Sequence, residues 1–329
     1  MMSSGDKTNI SLVLPVYNEA ANLPECYNKL EEVLKEISPR YELIFVNDGS
    51  TDSSLEIIKA FARHNPAVKF IDLSRNFGQQ VAISAGIEHA RGQRVAIMDA
   101  DLQDPPELLK SMYNKMDEGW EVVYGRRKNR KGETFLKRMT AKMFYRFLSR
   151  MTNINIPVDT GDFRMMDRKV VDVLNHMPER DRFIRGQVAW IGFRQTEIVY
   201  MRSGRRKGKT GYSYKKMFRF ALDGMTSFSD FPLRFATWLG FVFSIISFGL
   251  IIWALYQRLI AGSYVQGWTS LIISVLFFGG IQLIALGIIG EYISRIGSNV
   301  RQRPMYVINE KNTDKKKVNE TEKDVAEKA

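Results

Sequence analysis

Asp99 and Asp101, with Gln103 and Asp104 close behind, gather four oxygen-bearing side chains in the run Ile97-Met98-Asp99-Ala100-Asp101-Leu102-Gln103-Asp104. A short apolar segment that delivers Asp-x-Asp into a turn suits a hard divalent cation. Carboxylate oxygens favour Mg²⁺ or Mn²⁺, and a nucleotide diphosphate can complete the coordination shell. The plainer reading is a strand end whose acids open the next helix, because Asp104 precedes Pro105-Pro106.

Other polar residues recur at equivalent places. Pro15-Val16-Tyr17-Asn18-Glu19 follows an apolar run from Ile10 to Leu14, Asp48-Gly49-Ser50 follows Glu42 to Asn47, and Arg75 follows Val68 to Leu73. Asp48 can accept a hydrogen bond from a base or a ribose hydroxyl, or it can cap a tight turn. Helical spacing of apolar residues from Leu23 to Ile37, around Leu55 to Phe61 and from Gln79 to Ala90 separates these runs, and Arg94 to Met98 supplies a fourth strand. Alternating strands and helices predict an α/β, Rossmann-like, mostly parallel sheet with helices on both faces. In such sheets ligands collect at the carboxyl ends of the strands, where these polar residues lie. No Gly-x-Gly-x-x-Gly follows the first strand, which argues against a dinucleotide-dependent hydride transfer.

The elements further along imply a membrane. Phe235 to Tyr256 and Trp268 to Gly290 carry no charged residue, and each is long enough to cross about 30 Å of hydrocarbon as a helix. Two spans are expected, with Trp238, Trp253, Tyr256, Trp268 and Tyr292 near their ends. The loop between them has one base, Arg258, whereas Arg202 to Lys216, Arg234, Arg295, Arg301 and Arg303 flank the pair outside. Both termini are therefore expected on the cytoplasmic side of the plasma (inner) membrane. The absence of an N-terminal apolar segment predicts that the first 230 or so residues stay there too. The 329 residues carry a formal net charge of +12. Because the bases crowd beside membrane-like segments, anionic lipid headgroups or a phosphorylated lipid are expected as partners and nucleic acid is not. Glu133 to Met151 and Lys216 to Phe231 have the mixed apolar and basic pattern of interfacial helices. Gly279, Gly280, Gly287 and Gly290 permit close helix contacts and leave homo-oligomerisation open. Lone Cys26 offers neither an intramolecular disulfide nor a metal-site spacing, and the polar tail beyond Asn309 is expected to be disordered.

Pro15-Val16-Tyr17-Asn18-Glu19, Val46-Asn47-Asp48-Gly49-Ser50, Asn76-Phe77-Gly78, Asp99 to Pro106 and Gly161-Asp162-Phe163-Arg164 together resemble the signatures of family 2, GT-A, inverting glycosyltransferases. The branch they are similar to is the polyprenyl-phosphate glycosyltransferases, which includes bactoprenol glucosyltransferases and dolichyl-phosphate mannose synthase. The resemblance covers Ile10 to about Tyr306. It implies a cytoplasmic GT-A domain over 1–230, a two-helix membrane segment over 231–295 and a cytoplasmic C-terminal segment over 296–329.

The same resemblance implies that Pro15, Tyr17, Glu19, Asp48, Asp99 and Asp101 contact a nucleotide-sugar, and that Asp99, Asp101 and Gln103 bind or orient Mg²⁺ or Mn²⁺. Asp162 becomes the candidate general base or acceptor-positioning residue, against the alternative of a helix cap. Arg126, in Tyr124-Gly125-Arg126-Arg127, can grip a donor or acceptor phosphate with its fork of donors. Arg205 belongs to Arg205-Arg206-Lys207-Gly208-Lys209-Thr210-Gly211-Tyr212-Ser213, which resembles a phosphate-sensing loop; membrane-surface attraction is the competing role for both arginines. Relatives often carry Lys where this chain has Gly211. The implied reaction is inverting transfer of a hexose, glucose from a UDP donor first, to undecaprenyl phosphate. Mannose from GDP-mannose, an N-acetylhexosamine and a modified pentose share the visible chemistry, and a non-catalytic lipid-phosphate-binding membrane adaptor is the alternative of a different class.

Overall fold

A computed structural model describes residues 8–128, 160–180, 182–201, 231–260 and 267–313. The first unit, which takes up residues 1–147, 154–211 and 304–329, is built on one eight-stranded sheet. Its strands are β1 (Ile10–Val16), β2 (Tyr41–Asn47), β3 (Val68–Leu73), β4 (Arg94–Ile97), β5 (Val122–Arg127), β6 (Thr160–Asp167), β7 (Gln195–Tyr200) and β8 (Ile308–Lys311), in the spatial order β7-β5-β6-β4-β1-β2-β3-β8. The β1–β2, β2–β3, β1–β4 and β5–β7 pairs are parallel; β6 and β8 enter antiparallel. The sheet is thus mixed and mostly parallel, as the alternating pattern predicts.

Alternation along the strands divides the core in two. Leu12, Leu14, Leu43 and Phe45 point to one face, where α1 (Leu23–Ile37), α2 (Ser54–His64) and α4 (Leu108–Asp117) cover them. Val13, Ile44 and Val46 point to the other, beneath α3 (Gln79–His89), α5 (Arg168–His176) and α6 (Ile184–Ile191). Burial on both faces is why these strands read as nearly unbroken apolar runs. Cys26 lies inside the first cluster, where burial pushes its thiol up to about 12, so it is a packing residue.

Strand order reverses at β1, which has β2 on one side and β4 on the other. The crevice beyond the carboxyl ends of β1 and β4 is the switch point at which ligands bind in open α/β sheets. Two features went unread in the sequence. Asp104 does not cap α4: Glu107 occupies that position without a side-chain cap. The chain beyond Asn309 is also ordered in part, since β8 pairs with β3 and Asn312 bonds to the Phe70 N–H and the Val68 carbonyl. An edge strand of only four residues has too little periodicity to be seen by pattern.

The second unit, residues 148–153 and 212–303, contains α7 (Phe231–Leu259) and α8 (Trp268–Val300). Phe243 of α7 meets Phe277 and Phe278 of α8 edge to face, at centroid distances of 5.5 and 5.9 Å. Trp238, Phe241, Phe248, Leu283 and Ile284 remain exposed, an arrangement suited to lipid and costly in water. Among the described residues one helical stretch, Phe277–Val300, is long and apolar enough to cross a membrane; Ala236–Leu250 is a shorter apolar run. The expected interfacial segment Glu133 to Met151 and the basic stretch containing Arg205 lie outside the described residues.

Candidate active site

The loops after β1 and β2 are stitched together by short polar side chains. Ser50 Oγ accepts from the Asn18 N–H (3.0 Å), Asn18 Oδ1 from the Thr51 N–H (2.8 Å) and Ser54 Oγ from the Glu19 N–H (3.0 Å). Gly49 makes the tight turn possible: its φ is +65°, and a Cβ there would sit 2.5 Å from the Arg75 carbonyl carbon. Pro15 and Glu19 are half-buried and Tyr17 is exposed, so the first loop presents an aromatic ring at the switch point.

Asp48 is buried, and both its oxygens receive backbone N–H groups, from Phe77 at 2.7 Å and Gly78 at 2.9 Å. Burial raises its pKa, partly offset by these two bonds and by Arg75. The residue stands where the sequence puts it, at the end of β2, and its carboxylate pins the chain entering α3.

Asp99 and Asp101 follow β4, and Asp162 arrives from the opposite direction. In the antiparallel β4–β6 register Ile97 faces Arg164, so two residues further on Asp99 and Asp162 come to the same end of the sheet. Burial and the charges of Asp162, Asp101 and Asp104 push Asp99 up to about 7, with Arg127 opposing. Such a concentration of negative charge, built from oxygen donors, fits a hard cation. Among the described residues no three His, Cys, Asp or Glu side chains are grouped so as to hold a metal ion by themselves. Asp101 also accepts from the Gln103 N–H at 3.1 Å, closing the turn in which Leu102 has a φ of +54°.

Asp162 is buried and held from two sides. Arg185 donates through Nε at 2.7 Å and Nη2 at 3.2 Å, and Gln80 Nε2 donates at 3.0 Å. Burial alone raises its pKa, but the Arg185 guanidinium and its hydrogen bonds, helped by Arg164 and Gln80, bring it below the ordinary carboxylate value. Asp162 therefore lies in a strand beside a guanidinium and does not cap a helix; Asp167 caps α5, accepting from the Lys169 N–H.

Arg126 lies within β5 and pairs with Glu197 of β7 at 2.8 Å. The neighbouring Arg127, not singled out in the sequence, faces the acidic cluster. Its Nη2 is 3.7 Å from Asp104, and its Nε donates to the Tyr200 hydroxyl at 3.3 Å, while that hydroxyl donates to Asp104. Gln79, Gln80, Arg185 and Tyr200 were also missed. Gln79 and Gln80 directly follow the Asn76-Phe77-Gly78 motif, which was the available signal; nothing in the local sequence marks Arg185 or Tyr200.

Asp99, Asp101 and Asp162 thus gather at the switch-point crevice of a mostly parallel α/β sheet. The glycosyl transferase family 2 model matches residues 11–174, and the chain belongs to that family, with the activity of a glycosyltransferase. It is 50% identical to the uncharacterized glycosyltransferase YkcC of Bacillus subtilis (strain 168), over 91% of this chain and 92% of that protein. It is 40% identical to the prophage bactoprenol glucosyl transferase homolog of Escherichia coli (strain K12), over 91% of this chain and 98% of that protein. Among solved structures, a glucosyl-3-phosphoglycerate synthase of Mycobacterium tuberculosis in complex with Mn²⁺, UDP and phosphoglyceric acid superposes with a TM-score of 0.46. Sequence identity there is 16%, over 67% of this chain and 76% of that one.

Proposed function

We propose that the protein transfers a glucosyl group from UDP-glucose to a polyprenyl phosphate at the cytoplasmic face of the membrane. The observation that carries this reading is the near full-length similarity to bactoprenol glucosyl transferases. The donor loops Pro15–Glu19 and Asp48–Ser50 receive the nucleotide, with Pro15, Tyr17, Glu19 and Asp48 lining it. Asp99, Asp101 and Gln103 hold a divalent cation, Mg²⁺ or Mn²⁺, whose charge stabilises the leaving diphosphate. Arg126, and Arg205 in the basic stretch outside the described residues, serve the phosphates.

In this reading a lipid phosphate oxygen attacks the anomeric carbon as the bond to the diphosphate breaks, and displacement from one face inverts the configuration. A phosphate monoester has a second pKa near 6, so most of it is already dianionic at neutral pH. A strong base is unnecessary, and Asp162, ionised and paired with Arg185, orients the acceptor side of the site. α7 and α8 form a pair of spans with both chain ends cytoplasmic, supported by the charge-free stretches and the basic flanks. The pair keeps the enzyme beside its lipid substrate.

Full-length protein in detergent, given undecaprenyl phosphate, Mg²⁺ or Mn²⁺ and a panel of UDP- and GDP-sugars, tests the proposal by mass spectrometry of the lipid fraction. A cation-dependent lipid-linked hexose from UDP-glucose is expected, and Asp101→Asn should lower its formation by about 100-fold or more. A product only from another sugar nucleotide would replace the donor. Lipid binding without any product would overturn the enzymatic reading in favour of an adaptor.

A further inference from the structure

Four consecutive residues at the start of α3 reach three carboxylates that come from three different strands' ends. The Phe77 and Gly78 N–H groups hold Asp48, Gln79 Nε2 donates to Asp99 at 2.7 Å, and Gln80 Nε2 donates to Asp162 at 3.0 Å. Gln80 is anchored at its other atom as well, because its Oε1 accepts from the Ile184 N–H at 3.2 Å. Ile184 opens α6, the helix that carries Arg185, and Arg185 returns to Asp162 through two hydrogen bonds. One amide thus closes a ring that runs from α3 to Asp162, to Arg185, to the start of α6 and back to α3.

We propose that Gln80 is a positioning residue for glycosyl transfer: it sets the Asp162–Arg185 pair against the carboxylates of Asp48 and Asp99, so that the acceptor side meets the donor side in one geometry. The inference rests on the transferase reading above. Its physical basis is the need for two opposite hydrogen-bonding functions on one planar group. The carboxylate of Asp162 calls for a donor and the Ile184 N–H for an acceptor, and a primary amide supplies both. Leucine supplies neither. An ionised glutamate accepts but cannot donate, and adds a charge beside Asp162; a protonated glutamate again does both.

Among the described residues, the charged groups facing this position are Asp162 and Arg185, with Arg164 of β6 and Asp99 after β4 next to them. Like charge raises the pKa of the carboxyl introduced by Gln80→Glu, so that variant should regain its donor as pH falls.

The test uses full-length protein in detergent with UDP-glucose, undecaprenyl phosphate and Mg²⁺. Gln80→Leu is expected to lower kcat by about 10- to 100-fold, the scale of a small misplacement of reacting groups, with the KM for UDP-glucose unchanged. Gln80→Glu is expected to be strongly impaired at pH 8 and to recover toward the wild-type rate as pH is lowered to 6. A wild-type kcat in Gln80→Leu, a loss confined to KM, or a pH-independent loss in Gln80→Glu would each overturn the inference. Should Gln80→Leu fail to fold, the two pH arms of Gln80→Glu decide the matter within one protein. Wild-type protein that forms no lipid-linked sugar would overturn the functional reading and the inference together, an outcome distinct from active wild type with an indifferent Gln80.

Discussion

Asp162 shows how one pairing changes a residue's chemistry. Burial would keep this carboxyl protonated, yet Arg185 and its two hydrogen bonds reverse the direction and hold it ionised. A group whose folded pKa is depressed contributes stability above its unfolded pKa near 3.9 and loses it only as pH falls through the lower folded value. Wild-type kcat is accordingly expected to show no limb from Asp162 between about pH 6 and 8. Arg185→Met removes the partner and leaves burial unopposed, so the Asp162 pKa should rise. A rate that falls with decreasing pH across the mildly acidic range, together with a stability loss of about 3 kcal/mol or more, is the expected result. Paired pH-rate profiles and denaturant titrations of the two proteins check it; identical profiles would show that Arg185 does not govern Asp162. Asp99 contrasts with this: burial first, and then the charges of Asp162, Asp101 and Asp104, push it up to about 7, with Arg127 opposing.

At the scale of elements, β8 matters more than its four residues suggest. Asn309 Nδ2 donates to Asp72 Oδ2 at 2.8 Å, and Asp72 Oδ1 accepts from Asn47 Nδ2 at 2.7 Å, so the edge strand reaches the residue before Asp48 through one buried carboxylate. Lys311 Nζ lies 2.8 Å from His89 Nε2, while His89 Nδ1 is 2.9 Å from the Ala85 carbonyl. That pattern suits a neutral imidazole with its proton on Nδ1. Burial chiefly, and the Lys311 ammonium, lower the His89 pKa, with Ala85 and Glu88 opposing. The unfolded chain therefore takes up the proton first: this stabilisation is complete above about pH 6.5 and is lost as pH falls below it. Urea midpoints at pH 7.5 and 5.5 should differ more for wild type than for His89→Gln. Equal differences would mean that His89 does not carry the effect.

For the whole molecule, the order of the chain has a consequence for any shortened form. Residues of α7 and α8 intervene in sequence between β7 and β8, yet β8 completes the edge of the sheet beside β3. A chain ended at Val307 loses the β3 pairing, the Asn309–Asp72 bond and both bonds of Asn312. Its melting temperature should fall by about 5 °C or more relative to a chain ended at Thr313, given roughly 1 kcal/mol per hydrogen bond and 2–4 °C per kcal/mol. Calorimetry of both proteins in the same detergent makes the comparison, and coincident transitions would show β8 to be dispensable. The uncovered β3 edge would also offer unpaired backbone groups to other chains.

The strands β1 to β4 and helices α1 to α3 were legible in the sequence because their signals are local. Period-2 and period-3.6 patterns and the polar residues that end each strand lie within a few positions of one another. The placement of Asp48, Asp99 and Asp101 at strand ends follows from the same local logic, and so do the long apolar stretches of α7 and α8. What only the tertiary structure decided is who meets whom across distance in the chain. Asp162 reaches Asp99 because β6 runs antiparallel to β4; Gln80 and Arg185 converge on Asp162 from separate helices; Tyr200 and Arg127 gather on Asp104; and β8 returns to β3. Each of these contacts depends on strand order and register, which are set by the burial of the two core clusters as a whole, and no short window of sequence carries that information.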